Sequence, residues 1–331
     1  MKILVLTAES DQSADVVIKK LKANQAEIVR FDLGDFPTRA SISYTHERGK
    51  PAVTFTSNGC SYRLDEFHSI WLRKPFPPQA SSKIADPQLR KYIRAESQVF
   101  LYDCLESSDA FWLPCTYRQL LFLEDNRLDM LRTAEQIGFA IPPTLVTNCR
   151  KDFLEFYREQ KGKVIIKKFR NPYLGPEDDS GRRPKIFGMY TSPIERFMTR
   201  DAHLIQYCPV VIQGYVPKES ELRVTVVGDQ VFAAEIRSQE TYSTRHDWRR
   251  YDLGNTPHFP YALPDEIAGQ CWTLLKQFGL SYGAIDMVLT PQNEYVFLEI
   301  NPGGQYQWIE DLTRLPISQA ICDQLLKGKS L

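Results

Sequence analysis

"GAIDMVLTPQNEYVFLEINPGG" (283–304) is the stretch on which the fold turns. Two apolar runs, GAIDMVLT and EYVFLEIN, flank a short polar turn and read as a β-hairpin. Each run carries an acid where a core strand would carry a hydrocarbon, Asp286 in the first and Glu299 in the second. Pairing Thr290 with Tyr295 sets an antiparallel register that puts Asp286 opposite Glu299, with Cβ atoms roughly 5 Å apart on one face. Asn301, two residues on, shares that face. Desolvated like charges repel, and each loses hydration that something must compensate. The pair is expected either to share a proton or to hold a cation; the bland alternative is an exposed face on which the acids are ordinary. A few hard oxygen ligands with room for water and phosphate suit Mg²⁺ bound with a nucleotide.

The rest of the chain sets the bounds. Its 331 residues favour two or three domains. A hydrophobic content of 43% and a charged content of 25% describe a soluble globular protein with a sizeable core. Lys plus Arg (41) equals Asp plus Glu (41), which gives no support to nucleic acid or an anionic membrane as partner. Seven cysteines show no CxxC pairing, and a reducing cytoplasm is the expected compartment. The five histidines lie apart without an HExxH motif, so zinc is not expected. The apolar run ILVL near the start is too short for a signal peptide or a membrane span.

Working outward, KILVLT, a helix capped by Ser10 or Asp11, and EIVRFDL make a βαβ start and predict a parallel sheet. The GxGxxG fingerprint is missing, so the likeness to a Rossmann unit is one of topology only. SIWLRKPFPP (69–78) is a further strand, 88–107 a helix, and 126–137 another, ended by Gly138. KVIIKKF and IFGMYT read as strands around a long polar loop, RNPYLGPEDDSGRRPK (170–185). Beyond it come the strand-rich run HLIQYCPVVIQGYV (203–216), a hairpin turning at Gly228–Asp229, and a helix over 265–278. GKS (328–330) lacks the glycine of a phosphate-binding loop, since Asp323 stands in its place, and reads as a solvated tail. No GxSxG elbow is present.

In order, the βαβ opening, the strand lysine of VIIKK, the loop-bearing middle, VVIQGYVPKESELRV and the acid hairpin resemble the ATP-grasp fold over essentially the whole chain. That implies an α/β architecture: an N-terminal βαβ (pre-ATP-grasp) domain over 1–117, a small central α+β domain over 118–205, and a C-terminal α+β domain over 206–331 with the metal site. Within the fold, WLRK (71–74), YTSP (190–193), ELRVTVVGDQVFAAEIRSQ, DWR (247–249), YGAIDM, FLEINPGG and PISQAI (316–321) are similar to the microviridin-type maturases, the graspetide macrocyclases.

The resemblance implies ATP and Mg²⁺. Asp286, Glu299 and Asn301 would hold Mg²⁺ across the ATP phosphates, and Lys167 would reach the α- and β-phosphates. Arg223 would neutralise the transferring phosphoryl group and the tetrahedral intermediate. Gln213, Gly214, Tyr215 and Val216 would form the hinge that reads adenine through its backbone, with Lys218 and Glu221 near the ribose and phosphates. Arg127 stands where relatives carry lysine, and arginine also binds phosphate. Gln213 begins a hinge where an acid is common, and Arg237 occupies a position that varies in the family. The competing structural readings are an edge-strand lysine for Lys167 and a cross-strand ion pair with Glu235 for Arg223.

The activity so implied is ATP-dependent phosphorylation of an Asp or Glu side chain in a ribosomal precursor peptide. Attack by a Ser or Thr hydroxyl, or by a Lys amine, then closes a macrocyclic ester or amide. The substrate carboxylate would meet Arg73 with Lys74, or the cluster Arg245, Arg249 and Arg250. Arg249 is favoured, while Arg245 and Arg250 read as solvated surface. The segment 170–192 would dock a leader peptide or act as a lid. Relatives suggest a homodimer. The rivals are an ATP-grasp ligase for free amino acids or small peptides and a non-catalytic ATP-binding scaffold.

Overall fold

The opening apolar run forms β1 (Lys2–Thr7), which is buried on both faces. Ile3 and Val5 enter one core, Leu4 and Leu6 another, as a strand inside a covered parallel sheet requires. Asp11 caps α1 (Gln12–Ala23), accepting from the Ser13 and Ala14 amides, and Ala14, Val17 and Leu21 turn inward. Strand β2 (Glu27–Phe31) lies parallel to β1. The computed structural model describes residues 1–47, 50–169, 191–240 and 255–328.

An antiparallel sheet that the sequence reading did not anticipate follows: β3 (Ser41–Glu47), β4 (Lys50–Ser57) and β5 (Cys60–Arg63). Its signal is Asn58–Gly59, both at positive φ (51° and 76°), the pair that a tight two-residue hairpin demands. Strand β6 (Ser69–Lys74), helix α2 (Pro87–Glu106) and strand β7 (Phe111–Leu113) complete a parallel sheet in the order β2-β1-β6-β7.

A helix not expected from the sequence, α3 (Tyr117–Asp125), precedes the expected one, α4 (Arg127–Ile137), which Gly138 closes at φ 109°. Strand β8 (Thr144–Thr147), helix α5 (Arg150–Glu159) and strands β9 (Val164–Lys167), β10 (Ser192–Pro193) and β11 (Val210–Gly214) build a small antiparallel sheet, ordered β10-β9-β11-β8. The strand expected across 203–216 begins only at Val210. Arg196–Tyr207 is instead 3₁₀-helical, and Pro209, which cannot donate to a ladder, marks the change. Apart from Thr191, the strand expected at IFGMYT lies outside the described residues.

The last sheet contains β12 (Ser220–Val227), β13 (Gln230–Ile236), β14 (His258–Tyr261), β15 (Tyr282–Leu289) and β16 (Tyr295–Asn301), in the order β14-β13-β12-β15-β16. Gly228, at φ 56°, takes the first turn position between β12 and β13. One face of the sheet sends Leu222, Val224, Ile285 and Met287 into a core shared with α3, α4 and α6 (Asp265–Gln277). The other face carries the site. Helices α7 (Gln307–Thr313) and α8 (Ile317–Lys327) follow, and α8 packs Ile321 and Leu325 into one core with Val5 and Val17 of the N-terminal sheet and helix.

Candidate active site

A row of alternating charge crosses the sheet. Arg223 on β12 is in register with Asp286 on β15, and Asp286 with Glu299 on β16. Arg223 Nη1 donates to Asp286 Oδ1 at 2.9 Å with both side chains buried. Arg127, the first residue of α4, lies with Nη1 3.2 Å from Glu299 Oε2. The expectation that the two acids must share a proton or hold a cation is therefore incomplete: each already has an arginine, which offsets the repulsion. The alternative partner for Arg223, Glu235, is not used. Arg223 is in register with Ala234 on β13, and Glu235 pairs with Arg237 at 3.4 Å.

The Asp286–Glu299 pairing arises by a different route from the one expected. Beside the turn Tyr295 faces Leu289, not Thr290, and Phe297 faces Met287. A bulge then absorbs Leu298 and restores Asp286 opposite Glu299. It lets Leu298 and Glu299 both line the cleft while Phe297 and Ile300 stay in the core. Asn301 ends the strand, exposed and opposite Ala284.

Between this face and the small sheet lies a cleft. Lys167, the expected hinge residues Gln213, Gly214, Tyr215 and Val216, and Lys218 and Glu221 all line it, together with Asp286 and Glu299. Pro142, Ile165, Val288 and Leu298 supply apolar walls that sequence reasoning missed, because no local pattern marks them as facing a ligand. Gly214 N–H donates to Pro143 O and Tyr215 N–H to Lys163 O, both at 2.9 Å, so two backbone donors of this segment are already committed. The buried Gln213 side chain donates to Thr144 Oγ1 at 2.9 Å, while its Oε1 has no hydrogen-bond partner among the described residues. Lys218 Nζ lies 3.0 Å from Glu221 Oε1, which also accepts from Ser238 Oγ at 2.8 Å.

Arg223, Arg127, Arg73 and Asn301 border this arrangement but do not line the cleft. Arg73 is interior: Nη2 donates to Gln305 Oε1 at 2.6 Å, Nε lies 3.5 Å from Asp11, and the guanidinium rests over the Tyr306 ring. Arg223 Nη2 donates to the Gln305 carbonyl at 3.2 Å, so Gln305, unmarked in the sequence reading, joins the two arginines. Tyr282 OH donates to Gly304 O at 2.7 Å, and burial pushes that phenol's pKa upward against the opposing pull of Arg73 and Arg223. A Cβ at Gly304 would overlap Ala284 Cβ and lie 2.7 Å from Arg223 Nη2, so this glycine serves a close approach of backbone to protein. Arg245, Arg249 and Arg250, and residues 170–190 of the expected leader or lid segment, lie outside the described residues, as do 329–331 of the tail.

Among the described residues no group of three or more His, Cys, Asp or Glu side chains is placed to hold a metal ion. Asp286 and Glu299, opposed beside the cleft, still fit Mg²⁺, which binds through one or two carboxylates and otherwise keeps water and phosphate oxygens. No described helix is long and apolar enough to cross a membrane.

A cleft between two sheets, lined by the apolar Pro142, Ile165, Val288 and Leu298 and by the charged Lys167, Lys218, Glu221, Asp286 and Glu299, is the arrangement of an ATP-grasp ligase, and comparison with known proteins narrows the class. The family described as the MvdD pre-ATP grasp domain matches residues 2–118. Macrocyclase MdnC from Microcystis aeruginosa MRC, solved bound with precursor peptide MdnA, is 30% identical, with a TM-score of 0.85 over 99% of this chain and 100% of that one. Macrocyclase MdnB from the same organism is 32% identical, with a TM-score of 0.79 over 99% of each chain. A RiPP-associated ATP-grasp ligase from Chryseobacterium gregarium, solved with ADP and a leader and core peptide, is 28% identical, with a TM-score of 0.89 over 99% of this chain and 97% of that one. No curated protein matches in sequence. The chain belongs to the ATP-grasp macrocyclases of ribosomal peptides, the graspetide maturases, and is an ATP-dependent, ADP-forming ligase.

Proposed function

We propose that the protein phosphorylates an Asp or Glu side chain of a ribosomal precursor peptide with ATP, then joins that carboxyl to a Ser or Thr hydroxyl or a Lys amine of the same peptide. The observation that carries this reading is the row Arg127–Glu299–Asp286–Arg223 at the rim of a cleft that Lys167 enters from the opposite sheet. Phosphoryl transfer asks a protein for positioning and charge neutralisation more than for covalent chemistry, and this row provides both.

The residue roles belong to the same proposal. Adenine lies against 213–216 between Ile165, Val288 and Leu298. The unpartnered Gln213 Oε1 supports this, since an exocyclic amino group would satisfy a buried acceptor. Lys218 and Glu221 hold the ribose end, and Lys167 the α- and β-phosphates. Asp286, Glu299 and Asn301 would hold Mg²⁺, which when bound neutralises phosphate charge. Arg223 is oriented by Asp286 and the Gln305 carbonyl toward the charge that develops on the transferring group. Arg73, fixed on Gln305, keeps that residue in place, and Arg249 receives the substrate carboxylate. The compartment is proposed to be the cytoplasm, which seven free cysteines support.

Mass spectrometry tests the reading. The protein is incubated with ATP, Mg²⁺ and Thr/Glu- or Lys/Asp-rich peptides encoded beside its gene. Loss of whole water masses, dependent on ATP and resistant to linearisation in tandem fragmentation, is expected. ATP hydrolysis stimulated by free amino acids without such loss would replace it with a small-molecule ligase, and bound nucleotide with neither signal would leave a scaffold.

A further inference from the structure

Ring closure needs a proton acceptor. A Ser or Thr hydroxyl must lose a proton as it attacks the acyl phosphate; a Lys side chain, already deprotonated to the free amine before it can attack, must lose a further proton as the amide forms. Every charged group described above is either a cation or an acid already paired with one. His258 meets the requirement.

The sheet register places it. Val288, Glu221, Ile236 and His258 form one row across β15, β12, β13 and β14, two residues along the strands from the row of Asp286, Arg223, Ala234 and Pro260. Side chains two apart on a strand share a face, so His258 projects from the same face as Arg223 and Asp286. It stands two strands from Arg223, roughly 10 Å between backbones. The segment after Gly304 spans that gap on the same face: its Gln305 carbonyl receives Arg223, and its Trp308 meets His258 edge to face at 5.4 Å between ring centres. Nδ1 and Nε2 of His258 are both shielded from solvent, and among the described residues neither makes a well-formed hydrogen bond, although the Thr256 carbonyl lies close enough to act on the ring. Buried polar atoms are normally satisfied, so two on one ring call for a ligand or a function.

We propose that His258 is the base that takes the proton from the attacking nucleophile, a deduction that rests on the ring-closing reading above. The imidazole accepts the proton as the nucleophile's oxygen or nitrogen bonds to the acyl carbon. The C–O bond to phosphate then breaks, inorganic phosphate leaves with the electron pair, and the imidazolium returns its proton to that phosphate.

The surroundings keep the ring neutral. Burial lowers its pKa from the ordinary 6.5, with the Thr256 carbonyl opposing in part. The charges on the neighbouring strand, Glu235 and Arg237, lie on the opposite face and pair with each other. From α7, Glu310 is held by the Ser318 amide and hydroxyl. Glu221, two strands along the row, is held by Lys218 and Ser238.

The test compares wild type with His258→Gln under single-turnover conditions, using ATP, Mg²⁺ and the gene-adjacent precursor peptide. Two products are followed: ring formation by water loss, and acyl phosphate by hydroxamate after quenching with hydroxylamine. Ring formation is expected to fall about 10²- to 10⁴-fold while hydroxamate yield is kept or rises. Equal ring closure in the variant overturns the proposal. So does a parallel fall in both products, which would mark His258 as a structural residue. Hydroxamate without water loss in the wild type would sink the ring-closing reading itself. As a check that needs no variant, the wild-type ring-closing rate must fall as acid protonates one group. A flat profile from neutral pH down through the unfolding threshold refutes the base.

Discussion

At the scale of single residues, the two acids of the opening hairpin differ in what holds them, and their substitutions should differ accordingly. Glu299→Gln removes a charge whose partner Arg127 is largely exposed, and such pairs contribute only ~0–1 kcal/mol to stability. The variant should unfold at nearly the wild-type temperature while ATP turnover falls by about 10²-fold or more; a fully active variant would dismiss the metal role. Arg223→Ala instead strands a buried Asp286 and should cost about 3–5 kcal/mol in chemical denaturation, besides abolishing turnover. His258 gives a pH signature. Its folded pKa lies below the unfolded 6.5, so its contribution to stability is present above that value and is lost as pH falls toward the folded pKa. Melting temperatures of wild type and His258→Gln should therefore converge as pH drops from 7.5 through 6 (conditions chosen about the ordinary histidine value); a constant gap would contradict the burial argument.

At the scale of elements, the loop that leaves β16 matters as much as the strand. Gly304 permits contact with Ala284 and Arg223, and Tyr282 fixes its carbonyl. Gly304→Ala must push the loop or Arg223 aside, with an expected cost of about 1–3 kcal/mol and a larger proportional loss of turnover than of nucleotide affinity. Isothermal titration with ADP beside a turnover assay separates the two. The hairpin itself was legible, since alternation and the acids identified both strands. Its bulge was not. Thr290–Tyr295 and Leu289–Tyr295 are equally good pairings locally, and the choice depends on Phe297 and Ile300 both finding the core under β15.

At the scale of the molecule, α8 joins the first and last sheets. Ile321 and Leu325 share a core with Val5, Val17 and Val227, and Ser69 Oγ donates to Leu325 O at 2.6 Å. Leu325→Ala should cost about 2–5 kcal/mol and loosen both sheets together, read as a single shifted urea transition. Separate transitions would show that the sheets fold independently.

Sequence alone determined the parallel opening and the acid hairpin. Each rests on a local period: an unbroken apolar run, an alternation. Tertiary structure decided the rest. It assigned Asp286 to Arg223 rather than leaving it to share a proton, drew Arg73 inward onto Gln305, and set His258 on the face of the charged row. Those outcomes depend on which residues from distant segments become neighbours when three sheets and α8 close on shared cores, and no local pattern encodes that.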